Sequence, residues 1–289
     1  MEERVSFKSG DLKIAGVVHT PKDARAKERR PAFLVLHGFG SNKDSHNCKI
    51  PCQFLNDWGY VAMRFDYRGC GESDGERARI ICLEQVEDTK HALSFLATRP
   101  EVEPGRIGLL GASFGAAVAV YTAGVDPRVA ACISAGGWGD GEKKFRKQHE
   151  SPEAWQRFSA MLAEGRRRRA ETGESIMVPR YDIVPIPPAL RGNIAPGSAM
   201  EFPFEVVESM YAFKANDVVG KIAPRPLLLL HPAKDSVTPT EQSIDLFLHA
   251  GQPTDLHLVA DVDHFVLGED NPLVITLVRN WLEKYLPLK

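Results

Sequence analysis

The pentapeptide Gly111-Ala112-Ser113-Phe114-Gly115 sets a hydroxyl at a corner of the chain. Residues 107–110 before it are continuously apolar and read as a buried strand. Residues 116–123 after it, rich in alanine and valine, read as a buried helix. A turn this tight leaves no room for side chains at 111 or 115, which explains glycine at both. It also pushes the Ser113 hydroxyl out over the sheet edge, at the N-terminal end of the helix. A serine hydroxyl is a weak nucleophile near neutral pH. To attack an acyl carbon it needs a base for its proton, an acid to orient that base, and fixed donors for the oxyanion.

His264 is the candidate base and Asp235 the candidate acid; each lies in a loop directly after an apolar strand. The chain order Ser, Asp, His is one of three in which such a triad occurs. The Phe114 N–H, next after the nucleophile, is one candidate oxyanion donor. The Phe39 N–H, in His37-Gly38-Phe39-Gly40, is the other. Both act as backbone groups, so the two phenyl rings matter only for shape. Among the nine histidines, His37 is expected to brace the oxyanion loop, and His231, at the end of a strand, to pack rather than react. Asp261 and Asp263 flank His264 and compete with Asp235 for the acid role, but each would have to fold back along its own loop. Asp66 ends another strand, where the turn after it accounts for its presence.

These residues need a frame that brings separate loops to one edge. Residues 5–19 alternate apolar and polar around Ser9-Gly10-Asp11, a hairpin pattern. A charged loop, 22–30, follows. Apolar strands at 31–37, 60–65, 107–110, 129–135, 226–231 and 255–259 alternate with helical patterns at 46–58, 84–98, 116–123, 240–250 and 272–285. This is the rhythm of an α/β, doubly wound parallel sheet, whose ligands bind at the C-terminal ends of the strands. The rhythm breaks at 140–220, read as a cap inserted between a core of 1–139 and 221–289. In that block Ser151-Pro152 starts a helix, residues 178–188 are irregular or extended, and Arg166 to Arg169 with nearby glutamates form a solvated face. Four methionines (161, 177, 200, 210) and the aromatics Trp155, Phe158, Tyr181, Phe202, Phe204, Tyr211 and Phe213 suit either a pocket wall or the packing of the cap onto the body. Trp138, just after the strand ending at 135, is a candidate substrate contact.

Composition narrows the classes. A net charge of −2 gives no general pull toward nucleic acid or an anionic membrane. No apolar run approaches the ~20 residues needed to span a bilayer, and the charged N-terminus is expected to carry no secretory signal. Five scattered cysteines fit reduced thiols in the cytoplasm. Cys48 and Cys52 share a helix face but have no matching pair, so no metal site is expected. The sequence carries no signal of oligomeric state.

Together, His37-Gly-Phe-Gly40, Asp66-Tyr-Arg-Gly-Cys-Gly-Glu-Ser73, Gly111-Ala-Ser-Phe-Gly115, Asp235-Ser-Val-Thr-Pro239 and His264 resemble the α/β-hydrolase family. The branch resembled is that of the dienelactone-hydrolase-like and cinnamoyl (feruloyl) esterase-like serine hydrolases. The resemblance implies an eight-stranded, mostly parallel sheet with one antiparallel strand near the N-terminus, and a cap after residue 135. Ser stands where dienelactone hydrolases have Cys, and Val262-Asp-His264-Phe lacks the Gly that many relatives carry two residues before His. The expected activity is hydrolysis of a small-molecule carboxylic ester through an acyl-enzyme, without metal or organic cofactor. The same triad also serves amidases, peptidases and acyltransferases, C–C bond hydrolases, and a ligand-binding pseudo-hydrolase that keeps only the pocket.

Overall fold

Strands with no polar face need cover on both sides, and helices supply it. The structure is a computed structural model describing residues 1–22 and 28–288. The expected charged loop at 22–30 lies largely outside the described residues. A hairpin of β1 (Glu2–Ser9) and β2 (Leu12–His19) opens the fold. Then β3 (Arg30–Leu36), α1 (His46–Asp57), β4 (Val61–Phe65), α2 (Cys82–Ala97), β5 (Val102–Ala112), α3 (Phe114–Val125) and β6 (Val129–Ala135) alternate. The chain next leaves the sheet for α4 (Gly141–Gln148), α5 (Pro152–Thr172), β7 (Met177–Pro179), α6 (Arg180–Ile183), a 3-10 turn (Pro188–Asn193), β8 (Glu201–Pro203), α7 (Phe204–Ala212) and α8 (Asn216–Val219). It returns through β9 (Leu227–Pro232), α9 (Glu241–His249), β10 (Thr254–Val259) and α10 (Pro272–Tyr285).

The eight-stranded sheet has the order β1-β2-β4-β3-β5-β6-β9-β10. Every pairing from β4 to β10 is parallel, and β2 is antiparallel to both neighbours. Successive residues of β3 serve opposite faces, as the pleat requires. Phe33 and Val35 pack with Leu55 of α1 and Val278 of α10. Leu34 and Leu36 pack with Leu93 of α2 and Val118 of α3. Burying a side chain of this size stabilises by about 1.5–3 kcal/mol, so the centre of the sheet is a firm base for the loops at its edge.

Three segments depart from the sequence reading. Strand β5 begins at Val102, because Val102 pairs with Arg30 before the register slips ahead of Ile107; Pro104 and Gly105 fall in that irregular stretch. Helix α4 carried no expectation of its own; it is capped by Asp140, whose carboxylate accepts from the Lys143 N–H at 3.0 Å. The stretch expected to be irregular or extended, 178–188, contains the helical turn α6 next to the short antiparallel pair β7–β8. Helix α5 starts as expected at Ser151, whose hydroxyl accepts from the Ala154 N–H. Its arginines pair on the surface: Arg167 with Glu164 and Glu171, Arg168 with Glu174. Such exposed pairs contribute about 0–1 kcal/mol each.

Candidate active site

The corner at Ser113 is as tight as the glycines imply. A Cβ on Gly111 would meet the Gly115 carbonyl oxygen at 2.2 Å, and one on Gly115 would meet the Leu36 oxygen at 2.4 Å. Ser113 has φ +55° and ψ −115°, a strained conformation for a non-glycine residue, held by its N–H bond to the Ala135 carbonyl at 2.8 Å. The next residue, Phe114, opens α3, so its N–H has no intrahelical partner.

Asp235 follows β9 and His264 follows β10, two and three strands along from β5. Strand β6 lies between them and turns away at Gly136, whose φ is +63°. A Cβ there would sit 3.6 Å from both Asp235 Oδ2 and His264 Nδ1, so the backbone runs close beneath the pair. His264 Nδ1 lies 2.9 Å from Asp235 Oδ2 and 3.1 Å from Oδ1. An ionised carboxylate only accepts, so Nδ1 carries the proton and Nε2 is free to accept. The Ser113 hydroxyl donates to it at 2.8 Å. Ser113, His264 and Asp235 thus form one hydrogen-bonded chain drawn from three loops.

Burial alone would push the Asp235 carboxyl up, but the His264 ring and the donors around it hold it well below the usual carboxylate range. The Val237 and Thr238 N–H groups each donate to Oδ1 at 2.8 Å, so Asp235 orients His264 and pins its own loop at once. His231 is fully buried, in keeping with a packing role, and its ring also makes polar contacts to the loop of the acid. Its Nε2 lies 3.0 Å from the Thr238 carbonyl and 3.3 Å from Asp235 Oδ2, while its Nδ1 accepts from the Ser243 hydroxyl at 2.6 Å. Position i−4 from the acid, across a strand end, was the signal for it.

Asp263 and Asp66 are engaged elsewhere. Asp263 accepts from the Ser236 N–H and hydroxyl and from the His264 N–H. Asp66 accepts from the Lys43 N–H and ammonium and from the Glu72 N–H, which pins its own turn. His37 donates from Nδ1 to the Gly38 carbonyl at 2.9 Å and accepts at Nε2 from the Tyr67 N–H at 3.3 Å. It braces the loop that carries Phe39, and burial lowers its pKa, which favours this neutral form. Cys48 and Cys52 are buried one turn apart on α1, and burial pushes the Cys48 thiol up to about 12. Among the described residues no cluster of His, Cys, Asp or Glu is arranged to hold a metal ion.

A mostly apolar cavity opens above Ser113 and His264, with Gly38, Phe39 and Trp138 in its wall. Residues 33–276 match the model of the Alpha/beta hydrolase family. The chain belongs to this family. It is 27% identical over 257 residues to a polyketide transferase of Penicillium sp, covering 84% of this chain and 85% of the relative. It is 38% identical over 131 residues to a thiohydrolase of Arthrinium phaeospermum, covering 45% of this chain and 41% of the relative. The crystal structure of an alpha/beta hydrolase from Penicillium sp. sh18 superposes with a TM-score of 0.80 at 24% identity, over 99% of each chain.

In this α/β-hydrolase the methionines and aromatics singled out between 140 and 220 mostly take the second of their two expected roles, packing, and leave the cavity wall to other residues. Of the four methionines only Met210 lines the cavity, while Met177 and Met200 are exposed. The aromatics singled out there do not line it either: Phe202 stacks on Phe39 at 4.2 Å, Phe158 stacks on Phe145, and Phe213 lies against Tyr121. The sequence reading passed over the other wall residues of this block, among them Val184, Ile186, Ile194 and two buried cations, Lys144 and Arg180. Arg180 donates from Nε to the Ala199 carbonyl at 2.8 Å and from Nη2 to the Gly40 carbonyl at 3.1 Å. It thereby ties the segment between β6 and β9 to the loop carrying Phe39. The signal for Lys144 was spacing: Gly141, Lys144 and Phe145 form the buried face of α4, hidden in a run of charged residues.

Proposed function

We propose that the chain is a serine hydrolase that cleaves carboxylic esters of small to medium acyl or aryl groups through a covalent acyl-enzyme. The observation that carries this reading is the unbroken hydrogen-bonded path from the Ser113 hydroxyl through His264 to Asp235. As Ser113 Oγ attacks the ester carbon, His264 Nε2 takes its proton, and Asp235 stabilises the resulting imidazolium. The Phe39 and Phe114 N–H groups receive the oxyanion; removing one such donor typically lowers the rate ~10²–10³-fold. His264 then returns its proton to the departing alkoxide, and water repeats the sequence to release the acid. Trp138 shapes the acyl side of the cavity. The reaction draws on side chains and amides of this chain alone, and its substrate is a small molecule, with no role for nucleic acid or a membrane. Among the described residues no helix is long and apolar enough to cross a membrane. The five cysteines are free and buried, which supports a reducing compartment such as the cytoplasm.

A second reading keeps the acyl-enzyme and changes the leaving group or acceptor. Relatives named as a thiohydrolase and a polyketide transferase favour acyl thioesters, or transfer of the acyl group to an acceptor other than water. One acyl group presented as an oxygen ester, an N-acetylcysteamine thioester and an anilide separates these readings. Ester turnover that disappears in Ser113→Ala supports the first. A thioester rate far above the ester rate favours the second. Undiminished turnover in Ser113→Ala overturns both.

A further inference from the structure

Lys144 is 2% exposed, and its ammonium nitrogen has no hydrogen-bond or carboxylate partner among the described residues. A buried amine left unpaired is destabilising and calls for an explanation. The nitrogen lies 4.0 Å from the centre of the Phe145 ring and 4.7 Å from that of Trp138. Ring faces attract a cation but do not accept from it as an oxygen does. The Trp138 indole N–H, in the same wall, is also without an acceptor. Arg180 is the second buried cation of this cavity, and its hydrogen-bond partners are backbone carbonyls, not a carboxylate. Among the described residues no aspartate or glutamate lines the space that these groups share with Ser113 and His264. The acceptors that do line this space, such as the Asn47 amide oxygen and the Ser198 hydroxyl, make no hydrogen bond to the Lys144 amine, so its donors are left for a bound molecule.

We infer that Lys144 is a specificity-determining residue, and that the acyl group delivered to Ser113 carries an acceptor oxygen, as a ketone or a carboxylate, remote from the carbonyl under attack. The inference rests on the acyl-enzyme reading above and adds the kind of acyl chain. Burial lowers the Lys144 pKa to about 7. A neutral amine there donates to a ketone, and a protonated one pairs with a carboxylate. A hydrocarbon chain would leave the amine unpaired, and sites built to hydrogen-bond a substrate discriminate against analogues that lack the partner.

The test uses p-nitrophenyl esters of hexanoic acid, 5-oxohexanoic acid and adipic acid (as the monoester), with wild-type enzyme, Lys144→Met and Lys144→Gln. One or both oxygenated esters should exceed hexanoate in kcat/KM by about 10-fold or more in the wild type. That ratio should fall to about 1 in Lys144→Met and be partly kept in Lys144→Gln, which retains a donor. A lead for the 5-oxo ester identifies a ketone, and a lead for the adipate monoester a carboxylate. Hexanoate equal to or better than both in the wild type, or a ratio unchanged in either variant, overturns the inference. The wild-type ratio stands as a test even if the variants fold poorly. Ser113-dependent hydrolysis of hexanoate without preference sinks this inference alone. Absence of Ser113-dependent turnover of all three sinks the acyl-enzyme reading with it.

Discussion

Lys144→Met should make the protein more stable, in contrast to the usual effect of a substitution in a buried position. The amine sits against Trp138 and Phe145 with no acceptor, and burial takes its pKa from the ordinary 10.5 to about 7. Between those values the unfolded chain binds the proton and the folded chain does not. The penalty on folding therefore grows as pH falls from about 10 to about 7, and levels off below. At 1.36 kcal/mol per pKa unit the penalty is about 4 kcal/mol at pH 7 and about 1 kcal/mol at pH 10. Methionine has similar length and needs no partner, so it removes the penalty without opening a cavity. Urea unfolding of wild type and Lys144→Met at pH 7 and pH 10 reads the effect directly. The variant should be the more stable at pH 7, and its advantage should shrink by about 3 kcal/mol at pH 10. A variant less stable than wild type at pH 7, or an advantage equal at both pH values, would mean that the amine has a partner in the fold and that the argument from its isolation is wrong.

Asp235→Asn should lower kcat by about 10³–10⁴ with little change in far-UV circular dichroism, because an amide that donates to Nδ1 stabilises the wrong tautomer of His264. A loss below 10-fold would move the acid role elsewhere. Since Asp235 is held below its ordinary 3.8 in the fold, it contributes stability above about pH 4 that is lost as pH falls further. The Asp235→Asn variant should thus lose less stability than wild type between pH 5 and pH 3, as read by urea midpoints. Gly115→Ala would place a Cβ 2.4 Å from the Leu36 carbonyl and 2.5 Å from that of His37. It should destabilise by several kcal/mol, about the range of severe core overpacking, and a wild-type melting temperature would contradict the need for glycine there.

The hydrogen-bonded chain was legible in the sequence because its requirements are local. A turn that excludes every Cβ at 111 and 115, and loops that follow apolar strands, leave signatures within a few residues. The order of the strands then brings Ser113, Asp235 and His264 to one edge without further information. His231 was less legible, since its contact with Asp235 depends on which way a strand-end side chain turns. The cavity wall was the least legible part. Composition left the methionines and aromatics open between lining and packing; Met177 and Met200 face solvent and Phe202 stacks on Phe39. The wall is set by where α4 and α6 land, which depends on long-range packing. A lysine in a charged run and an arginine between a proline and a tyrosine read locally as surface residues until the fold buries them.

The most direct measurement of the central claim is the mass of the intact enzyme caught during turnover. Wild type mixed with a p-nitrophenyl ester and quenched in acid within milliseconds should gain one acyl group, with peptide mapping locating it on Ser113, and Ser113→Ala should gain none. An acyl group mapped to another residue, or steady turnover in Ser113→Ala, would contradict the mechanism built on His264 and Asp235.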